Sequence, residues 1–434
     1  MKHAEPTTSL PRVIGVGSAV MMGLGSILGT GVFVTLGIAT GLAGPAVILA
    51  IALAAVVAGA NGLSSAQLAA NHPVSGGTYE YGYRYLHPAL GFTAGWLFLC
   101  AKSASAATAA LGFAHYLMVA LKTENALDHR IIALAMLVVL TAIVLAGIKR
   151  SNRANLLIVS ITIGSLLFFI AICLPRAIER SGEILSSFFP MTRDDNTRSS
   201  PGLLEAAALM FVAYTGYGRI ATLGEEIHHP RKSIPKAIII TLLVTMILYM
   251  AVAWCAVAAD PAMGRDSAND GAPLAQIASD VAGQGAGLIL TLGALTAMVG
   301  VLLNLLLGLS RVALAMGRRG DLPRRFGTVD TKRQSPSAAI VLVAVIIAAL
   351  ILIGDIKTTW SFSAFTVLLY YAITNLAALK LKGDERIYPR WIAIVGLIGC
   401  LFLAFWVEPA VWLAGLGVIG VGLIWHGIAR AAAR

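Results

Sequence analysis

The apolar segment at residues 13–39 contains a run of glycines where a membrane helix is expected to be continuous. Gly25, Gly29 and Gly31 fall within seven residues, and apolar sequence flanks them on both sides. Each interior glycine costs about 1 kcal/mol of helix propensity relative to alanine, and an unpaired backbone N–H or C=O group in hydrocarbon costs more still. We therefore expect a helix that is broken near residues 25–31, where a polar species satisfies the freed peptide groups.

A second break is expected near residues 212–218, inside another apolar segment. The run from Phe211 to Gly218 combines two glycines with small and aromatic residues. Interrupted helices at corresponding places in the two halves of a chain indicate a transporter's binding site near the middle of the bilayer. The alternative is that the glycines only allow close helix packing, because small residues line many membrane interfaces.

The composition is that of an integral membrane protein. Of the 434 residues, 58% are hydrophobic and 12% are charged, whereas soluble domains carry about 25% charged residues. Hydropathy windows predict twelve membrane spans. The predicted spans are residues 13–39, 45–70, 91–120, 131–147, 154–174, 203–223, 236–258, 287–316, 338–353, 359–380, 391–408 and 409–428.

The distribution of basic residues predicts the orientation. Most of the 32 lysines and arginines lie in segments that share one side with both termini. Because basic loops stay on the cytoplasmic side, we expect a multi-pass protein of the cell (inner or plasma) membrane with cytoplasmic N- and C-termini. The formal net charge of +11 then reflects contacts with anionic membrane lipid, and no nucleic acid partner is expected.

Five blocks of sequence resemble the amino acid–polyamine–organocation (APC) superfamily of permeases. They follow in that family's order and are G-S-I-L-G-T-G-V-F (25–33), P-V-S-G-G-T-Y-E-Y (73–81), F-V-A-Y-T-G-Y (211–217), E-E-I-H-H-P-R-K-S-I-P (225–235) and S-R-V-A-L-A-M-G-R-R-G-D-L-P (310–323). The resemblance implies an all-α polytopic membrane protein with the LeuT-like fold, which has two inverted five-helix repeats, two extra C-terminal helices and about 12 transmembrane helices. It also implies an amino acid as the usual cargo.

The same resemblance implies a division of the chain. Residues 1–12 would form a cytoplasmic tail, residues 13–174 the first repeat (helices 1–5), and residues 175–202 an outer loop. Residues 203–380 would form the second repeat (helices 6–10), and residues 381–434 would hold helices 11 and 12 with the C-terminal tail.

A broken helix offers an amino acid two complementary poles. The half-helix that follows the first break presents N–H groups to a carboxylate, and we place Gly29, Thr30 and Gly31 there. Half-helices that end at the breaks present carbonyl groups to an ammonium, which the family's pattern assigns to Ile27, Val212 and Thr215. The predicted substrate-binding residues are Ile27, Gly29, Thr30, Gly31, Val212, Ala213, Thr215, Gly216 and Tyr217.

Two positions bear on the side chain of the cargo. Val212 lies close to the place where the family resemblance puts an aromatic gate. Gly218 stands where some relatives that carry cationic amino acids have an acidic residue. We therefore expect a neutral amino acid.

Lys102 is the main candidate for energy coupling. It lies within a predicted span, about twelve residues or roughly 18 Å from its cytoplasmic end. An intramembrane lysine costs about 2.5 to 3.5 kcal/mol on insertion scales and so suggests a function. Three roles stay open: a proton carrier, a structural residue that snorkels or bonds to backbone carbonyls, and a direct contact with the substrate.

Other polar residues suggest a sodium site or a gate. By the family's pattern, Thr162 takes the place of a lysine that replaces sodium in some relatives, and Asn304 is the matching polar residue of helix 8. They would supply oxygen ligands to a sodium ion. We favour a proton over sodium as the coupling ion. Tyr214, Arg219 and Glu225 are gate candidates, with an Arg219–Glu225 ion pair preferred over an anionic-substrate site.

These features predict a secondary active amino acid transporter that works by alternating access. Proton-coupled symport of a neutral amino acid is our first hypothesis; an exchanger, a cationic amino acid permease and a non-transporting sensor are the alternatives. The spans lack the rings of charge that a channel needs and the clustered side chains that an enzyme needs. No cofactor or metal is expected, and the partners would be an amino acid, a proton and membrane lipid, with the protein a monomer or homodimer.

Overall fold

The computed structural model describes residues 14–74, 76–121, 129–146, 152–186, 200–222, 227–261, 263, 272–330 and 335–432, and this part of the chain is almost entirely helical. Its α-helices are α1 (Val16–Ile27), α2 (Leu36–Ala43), α3 (Val47–Asn71), α4 (Thr78–Tyr85), α5 (Pro88–Leu121), α6 (His129–Leu145), α7 (Asn152–Glu179), α8 (Ser181–Ser186), α9 (Ser200–Tyr214), α10 (Gly218–Thr222), α11 (Pro230–Ala259), α12 (Pro273–Ala282), α13 (Gln284–Arg319), α14 (Ser337–Ile353), α15 (Ile356–Leu379), α16 (Arg390–Phe405) and α17 (Pro409–Ala432).

Seven helical stretches of the described chain are long and apolar enough to cross a membrane. They are Gly31–Asn71, Pro88–Leu121, Asn155–Glu179, Pro230–Ala259, Gln284–Arg319, Ile356–Leu379 and Pro409–Ala431. The first is divided at Gly44, where a φ of 56° ends α2. Helices α1, α6, α14 and α16 are apolar but shorter. The structure therefore agrees with an all-helical polytopic protein, while the count of twelve spans and the inverted repeats stay predictions.

The helices form a central group and a peripheral group. We compared the 18-residue apolar stretch of each long helix. Of that stretch, 78% is buried inside the protein in α15 and 61% in α5, whereas only 33% is buried in α7 and 22% in α17. Large apolar side chains are exposed on α7, α11, α14, α16 and α17. Because hydrocarbon solvates such side chains, these surfaces suit contact with lipid.

Hydroxyl pairs join the two central helices α5 and α15. The Ser105 and Ser363 hydroxyls lie 2.7 Å apart, and those of Thr108 and Thr359 lie 2.8 Å apart. Small residues allow helices to approach closely, and hydroxyl bonds satisfy polar groups inside a membrane protein. These pairs therefore fix the register of α15 against α5.

We call the side of the bundle on which α1 begins the amino-terminal face. Ile14 and Ile227 pair there as an isolated parallel bridge, which places the chain that follows α10 at this face. The short helix α4 starts nearby, because a Cβ on Gly77 would lie 3.7 Å from the methyl carbon of Thr222. The Gly-rich stretch that leads into α4 therefore lies at the amino-terminal face.

A buried carboxylate anchors α4. Asp321, which is 5% exposed, accepts hydrogen bonds from the hydroxyls of Tyr79 at 2.7 Å and Tyr83 at 2.6 Å. Glu80 pairs with Arg319 at 2.6 Å. Burial raises the pKa of Glu80 above its usual value, and the positive charge of Arg319 opposes that change. Bonds to a charged acceptor are strong, so Asp321 holds α4 firmly against the end of α13.

Candidate functional site

The first interruption lies inside the glycine run. Helix α1 ends at Ile27, and Leu28 adopts an extended conformation with φ −73° and ψ 105°. The chain becomes helical again at Thr30 and continues as a π-helical turn, Gly31–Thr35, into α2. Gly25 remains within α1, so the break is shorter than the predicted stretch.

Side chains from three other helices bond to carbonyl groups of α1, two of them at its end and one within it. The Tyr249 hydroxyl donates to the Ile27 oxygen at 3.0 Å. The amide of Asn304 donates to the Gly25 oxygen at 3.0 Å, and that of Asn155 on α7 donates to the Met21 oxygen at 3.0 Å. A helix end buried away from water requires such partners.

The second interruption is a tightened turn instead of an extended break. Helix α9 ends at Tyr214, one 3₁₀ turn covers Thr215–Tyr217, and α10 begins at Gly218. The Thr215 hydroxyl donates to the Val212 oxygen at 2.7 Å, and the Tyr371 hydroxyl donates to the Thr215 oxygen at 3.2 Å. Because these hydroxyls satisfy the freed carbonyls, the chain can leave α-helical bonding without extending.

The two interruptions pack directly against each other. A Cβ on Gly216 would overlap the carbonyl oxygen of Ser26, and one on Gly31 would overlap the Cβ of Ala213. A Cβ on Gly29 would lie 2.6 Å from a methyl carbon of Val301. Close packing and chain interruption therefore both explain why glycine occupies these positions.

A central pocket of about 30 Å³ lies where the interruptions meet. Seven of the nine predicted substrate-binding residues line it: Ile27, Thr30, Gly31, Val212, Ala213, Thr215 and Gly216. The other two lie elsewhere. Gly29 packs on Val301, and Tyr217 is fully buried with its ring centroid 5.5 Å from that of Tyr371.

A second cavity, the vestibule, connects the central pocket with the amino-terminal face. Its volume is about 80 Å³, and its lining extends from Lys102 to Gly76, Thr222 and the exposed side chain of Arg311. Both cavities share Lys102 and Thr215 in their linings. Lys102 therefore stands at the junction between them.

Lys102 bonds to the second interruption. Its side chain is 8% exposed, and Nζ donates to the Thr215 hydroxyl oxygen at 2.7 Å. Among the residues that the structure describes, no carboxylate lies within ion-pair distance of Nζ. The ammonium thus lies beside the predicted binding site instead of at a membrane surface, which disfavours snorkelling.

The charged side chains that line the two cavities are cationic. Lys102, Arg219 and Arg311 contribute to their linings, whereas no aspartate or glutamate of the described chain does so. Thr30 is 2% exposed, and its hydroxyl has no hydrogen-bond partner within the described ranges. A donor-rich site of this kind suits a ligand that carries an anionic group.

The two residues predicted for sodium, Thr162 and Asn304, both donate hydrogen bonds to backbone carbonyl groups. The Thr162 hydroxyl donates to the Ile158 carbonyl of its own helix at 2.9 Å. The amide N–H of Asn304 donates to the Gly25 carbonyl at 3.0 Å, and the sodium role of both residues stays a prediction. Among the described side chains of α7, that of Asn155 bonds to α1.

Two of the three gate candidates, Tyr214 and Arg219, lie within the described residues. The Tyr214 hydroxyl points toward the Ile51 carbonyl at 3.5 Å, and this side chain lines neither cavity. Arg219 lines the vestibule. Glu225 lies outside the described residues, so its ion pair with Arg219 stays a prediction.

Helix α15 supplies cavity residues that the sequence did not suggest. Trp360 lines the central pocket and donates from Nε1 to the Leu209 carbonyl at 3.0 Å, while Tyr370 and Tyr371 line the vestibule. The available signal was the concentration of hydroxyl and aromatic residues within an apolar helix. Intramembrane polar groups often mark a functional interior.

Two buried aromatic side chains, Tyr116 of α5 and Phe33 of the π-helical turn, lie on the opposite side of Lys102 from the vestibule. Phe33 and Tyr116 are both fully buried, and the Tyr116 hydroxyl donates to the Phe33 carbonyl at 2.7 Å. This bond ties α5 to the π-helical turn. The cavities thus extend toward the amino-terminal face, while packed aromatic rings lie toward the other face.

Comparisons with known proteins cover nearly the whole chain. The amino acid permease family model matches residues 18–427. An uncharacterized transporter of Mycobacterium tuberculosis is 40% identical over 98% of this chain and 93% of its own length. The branched-chain amino acid permease BcaP of Bacillus subtilis is 27% identical over 91% of this chain and 88% of its own length. The methylthioribose transporter of the same species is 27% identical over 96% of this chain and 93% of its own length.

Proposed function

Since this chain belongs to the amino acid permease family, we propose that it moves a neutral amino acid across the cell membrane by proton-coupled symport. The family consists of multi-pass membrane transporters and not of enzymes. The observation that carries the proposal is the central pocket, in which two helix interruptions meet beside a buried lysine.

The polar groups of the pocket are complementary to the two charges of a zwitterion. Thr30 and the first turn of the helix that follows it offer donors to a carboxylate. The carbonyl oxygens of Ile27, Val212 and Thr215 each accept one bond from a protein hydroxyl. Because a carbonyl oxygen has two lone pairs, each of them can still accept from an ammonium.

The walls of the pocket favour a neutral side chain. Val212 and Ala213 are apolar and line the pocket. A cationic side chain would meet Lys102 without any carboxylate from the described lining residues to offset the repulsion. The name of the Bacillus subtilis relative, a branched-chain amino acid permease, agrees with an aliphatic cargo.

The cavities support alternating access. The vestibule extends toward the amino-terminal face, which the distribution of basic residues predicts to be cytoplasmic. The buried pair of Phe33 and Tyr116 lies toward the other face. With that orientation we assign this arrangement to an inward-facing state, and transport requires a second state in which the aromatic packing opens.

Lys102 is our proposed proton carrier. It touches both the pocket and the vestibule, so a proton can reach Nζ from the cytoplasmic side in this state. Its bond to Thr215 links α5 to the second interruption. Protonation therefore changes the interaction between two elements that must move relative to each other.

Reconstitution in liposomes tests the proposal. Uptake of a panel of labelled amino acids is measured with imposed proton or sodium gradients, and with unlabelled amino acid loaded inside. We expect an inward proton gradient to drive uptake of neutral amino acids, sodium to have no effect, and Lys102→Ala to abolish the gradient dependence. Uptake that requires internal amino acid would indicate an exchanger, and binding without flux would indicate a sensor.

A further inference from the structure

We infer that Lys102 binds the carboxylate of the cargo directly, so that a single side chain holds both the amino acid and the transported proton. The inference rests on the proposed function and deepens it. It names the group that recognises the carboxylate and sets the stoichiometry at one proton for each cargo molecule.

The first argument is the unused bonding capacity of Lys102. An ammonium carries three N–H donors, and one of them bonds to the Thr215 hydroxyl. The side chain is 8% exposed and borders both cavities. A buried charge without a counter-charge is costly, and the described part of the chain provides no carboxylate near Nζ.

The second argument is the hydroxyl of Thr30. It is 2% exposed, lines the same central pocket as Lys102 and has no partner among the described residues. Thr30 comes from the first interruption and Lys102 from α5, so the two donors reach the pocket from different elements. A carboxylate has two oxygens and can accept from both donors at once.

The pairing explains how proton movement and cargo movement are coupled. A proton from one compartment adds to the lone pair of Nζ, and the resulting ammonium attracts the carboxylate. On the other side the proton leaves Nζ, the attraction is lost, and the cargo dissociates. No covalent bond of the amino acid changes, and one proton crosses with each molecule.

Binding to the purified protein tests the inference. The probes are L-leucine, L-alanine and L-serine, each compared with its α-amide, which keeps the ammonium but lacks the carboxylate. The wild-type protein is expected to bind the best of the three acids at least about tenfold more tightly than its amide, because charge-assisted bonds are strong. Lys102→Met is expected to abolish most of this preference and to leave the affinity for the amide nearly unchanged.

Two further variants complete the design. Ser103→Ala, which alters the neighbouring residue outside the pocket lining, should keep the wild-type preference. Thr30→Val replaces the hydroxyl with a methyl group and should reduce the preference by about three- to tenfold, so it tests the site if Lys102→Met does not fold. At a pH where Nζ is neutral in the empty protein, acid binding in weakly buffered solution should be accompanied by proton uptake in the wild type and in Ser103→Ala, and by none in Lys102→Met.

The outcomes separate the two proposals. If proton-driven uptake is found but Lys102→Met or Thr30→Val keeps the full preference for the acid, the carboxylate is held elsewhere and the inference fails alone. If no probe binds, or uptake is not driven by protons, the proposed function fails and the inference falls with it.

Discussion

Thr215 holds the ammonium of Lys102, so removing its hydroxyl should change the pH dependence of transport. The hydroxyl oxygen accepts from Nζ at 2.7 Å, and the hydroxyl donates to the Val212 carbonyl at 2.7 Å. Valine has nearly the shape of threonine but neither donates nor accepts. Thr215→Val therefore removes these bonds while it preserves the packing of the 3₁₀ turn.

The size of the effect follows from the charge on the donor. A hydrogen bond that involves a charged group contributes about 1.5 to 3 kcal/mol, and it is stronger for an ammonium than for a neutral amine. Loss of the bond thus disfavours the protonated carrier, and more acid is needed to load it. Since 1.36 kcal/mol corresponds to one pH unit, half-maximal uptake should shift by about one to two units toward lower pH.

The assay is the initial rate of uptake into liposomes of fixed internal pH, recorded over a series of external pH values. Thr108→Val is the matched control, because it removes a buried hydroxyl of α5 that bonds to Thr359 and not to Lys102. Its pH profile should equal that of the wild type. A Thr215→Val midpoint equal to that of the wild type would refute the carrier role of the Lys102–Thr215 pair.

Three further predictions concern packing, anchoring and coupling. Gly216→Ala places a Cβ against the carbonyl oxygen of Ser26. The overpacking costs about 1 to 3 kcal/mol, so the initial rate of uptake should fall strongly. Gly164→Ala is the control: its Cβ meets open space, and the variant should transport at the wild-type rate. Asp321→Asn weakens the acceptor for two tyrosine hydroxyls and should lower stability by about 1 to 3 kcal/mol, seen as earlier thermal unfolding in detergent. Thr162→Val should leave the sodium and proton dependence of uptake unchanged, because the Thr162 hydroxyl donates to the Ile158 carbonyl of its own helix. A change in the sodium dependence would contradict this prediction.

The location of the first interruption could be predicted from sequence because its cause is local. Glycines inside an apolar helix weaken it wherever they stand, and the chain leaves helical geometry at Leu28, within the predicted stretch. The conformation of the second interruption could not be predicted in the same way. It depends on the hydroxyl of Tyr371, which is 156 residues from Thr215 along the chain.

The α7 contact illustrates a different limit, which is helix register. The resemblance assigns Thr162 to coupling, and that role stays a prediction; Asn155 is a described α7 residue whose side chain bonds to α1. The two residues are seven positions apart, which is close to two turns, so they share a face of α7 but stand about 10 Å apart along its axis. The apolar pattern of α7 predicts which of its faces points toward α1. Without a lysine in this segment, the pattern does not predict which residue along that face lies level with the break in α1.

The two poles of the central pocket differ in how far the protein already satisfies them. The carbonyl oxygens of Ile27, Val212 and Thr215 have hydroxyl partners, so an ammonium must share acceptors that are in use. Within the described ranges, Lys102 has donors without a protein partner and the Thr30 hydroxyl has no partner. Binding energy is gained mainly where polar groups would otherwise stay unsatisfied, so the carboxylate, more than the ammonium, should determine how tightly this site holds its cargo.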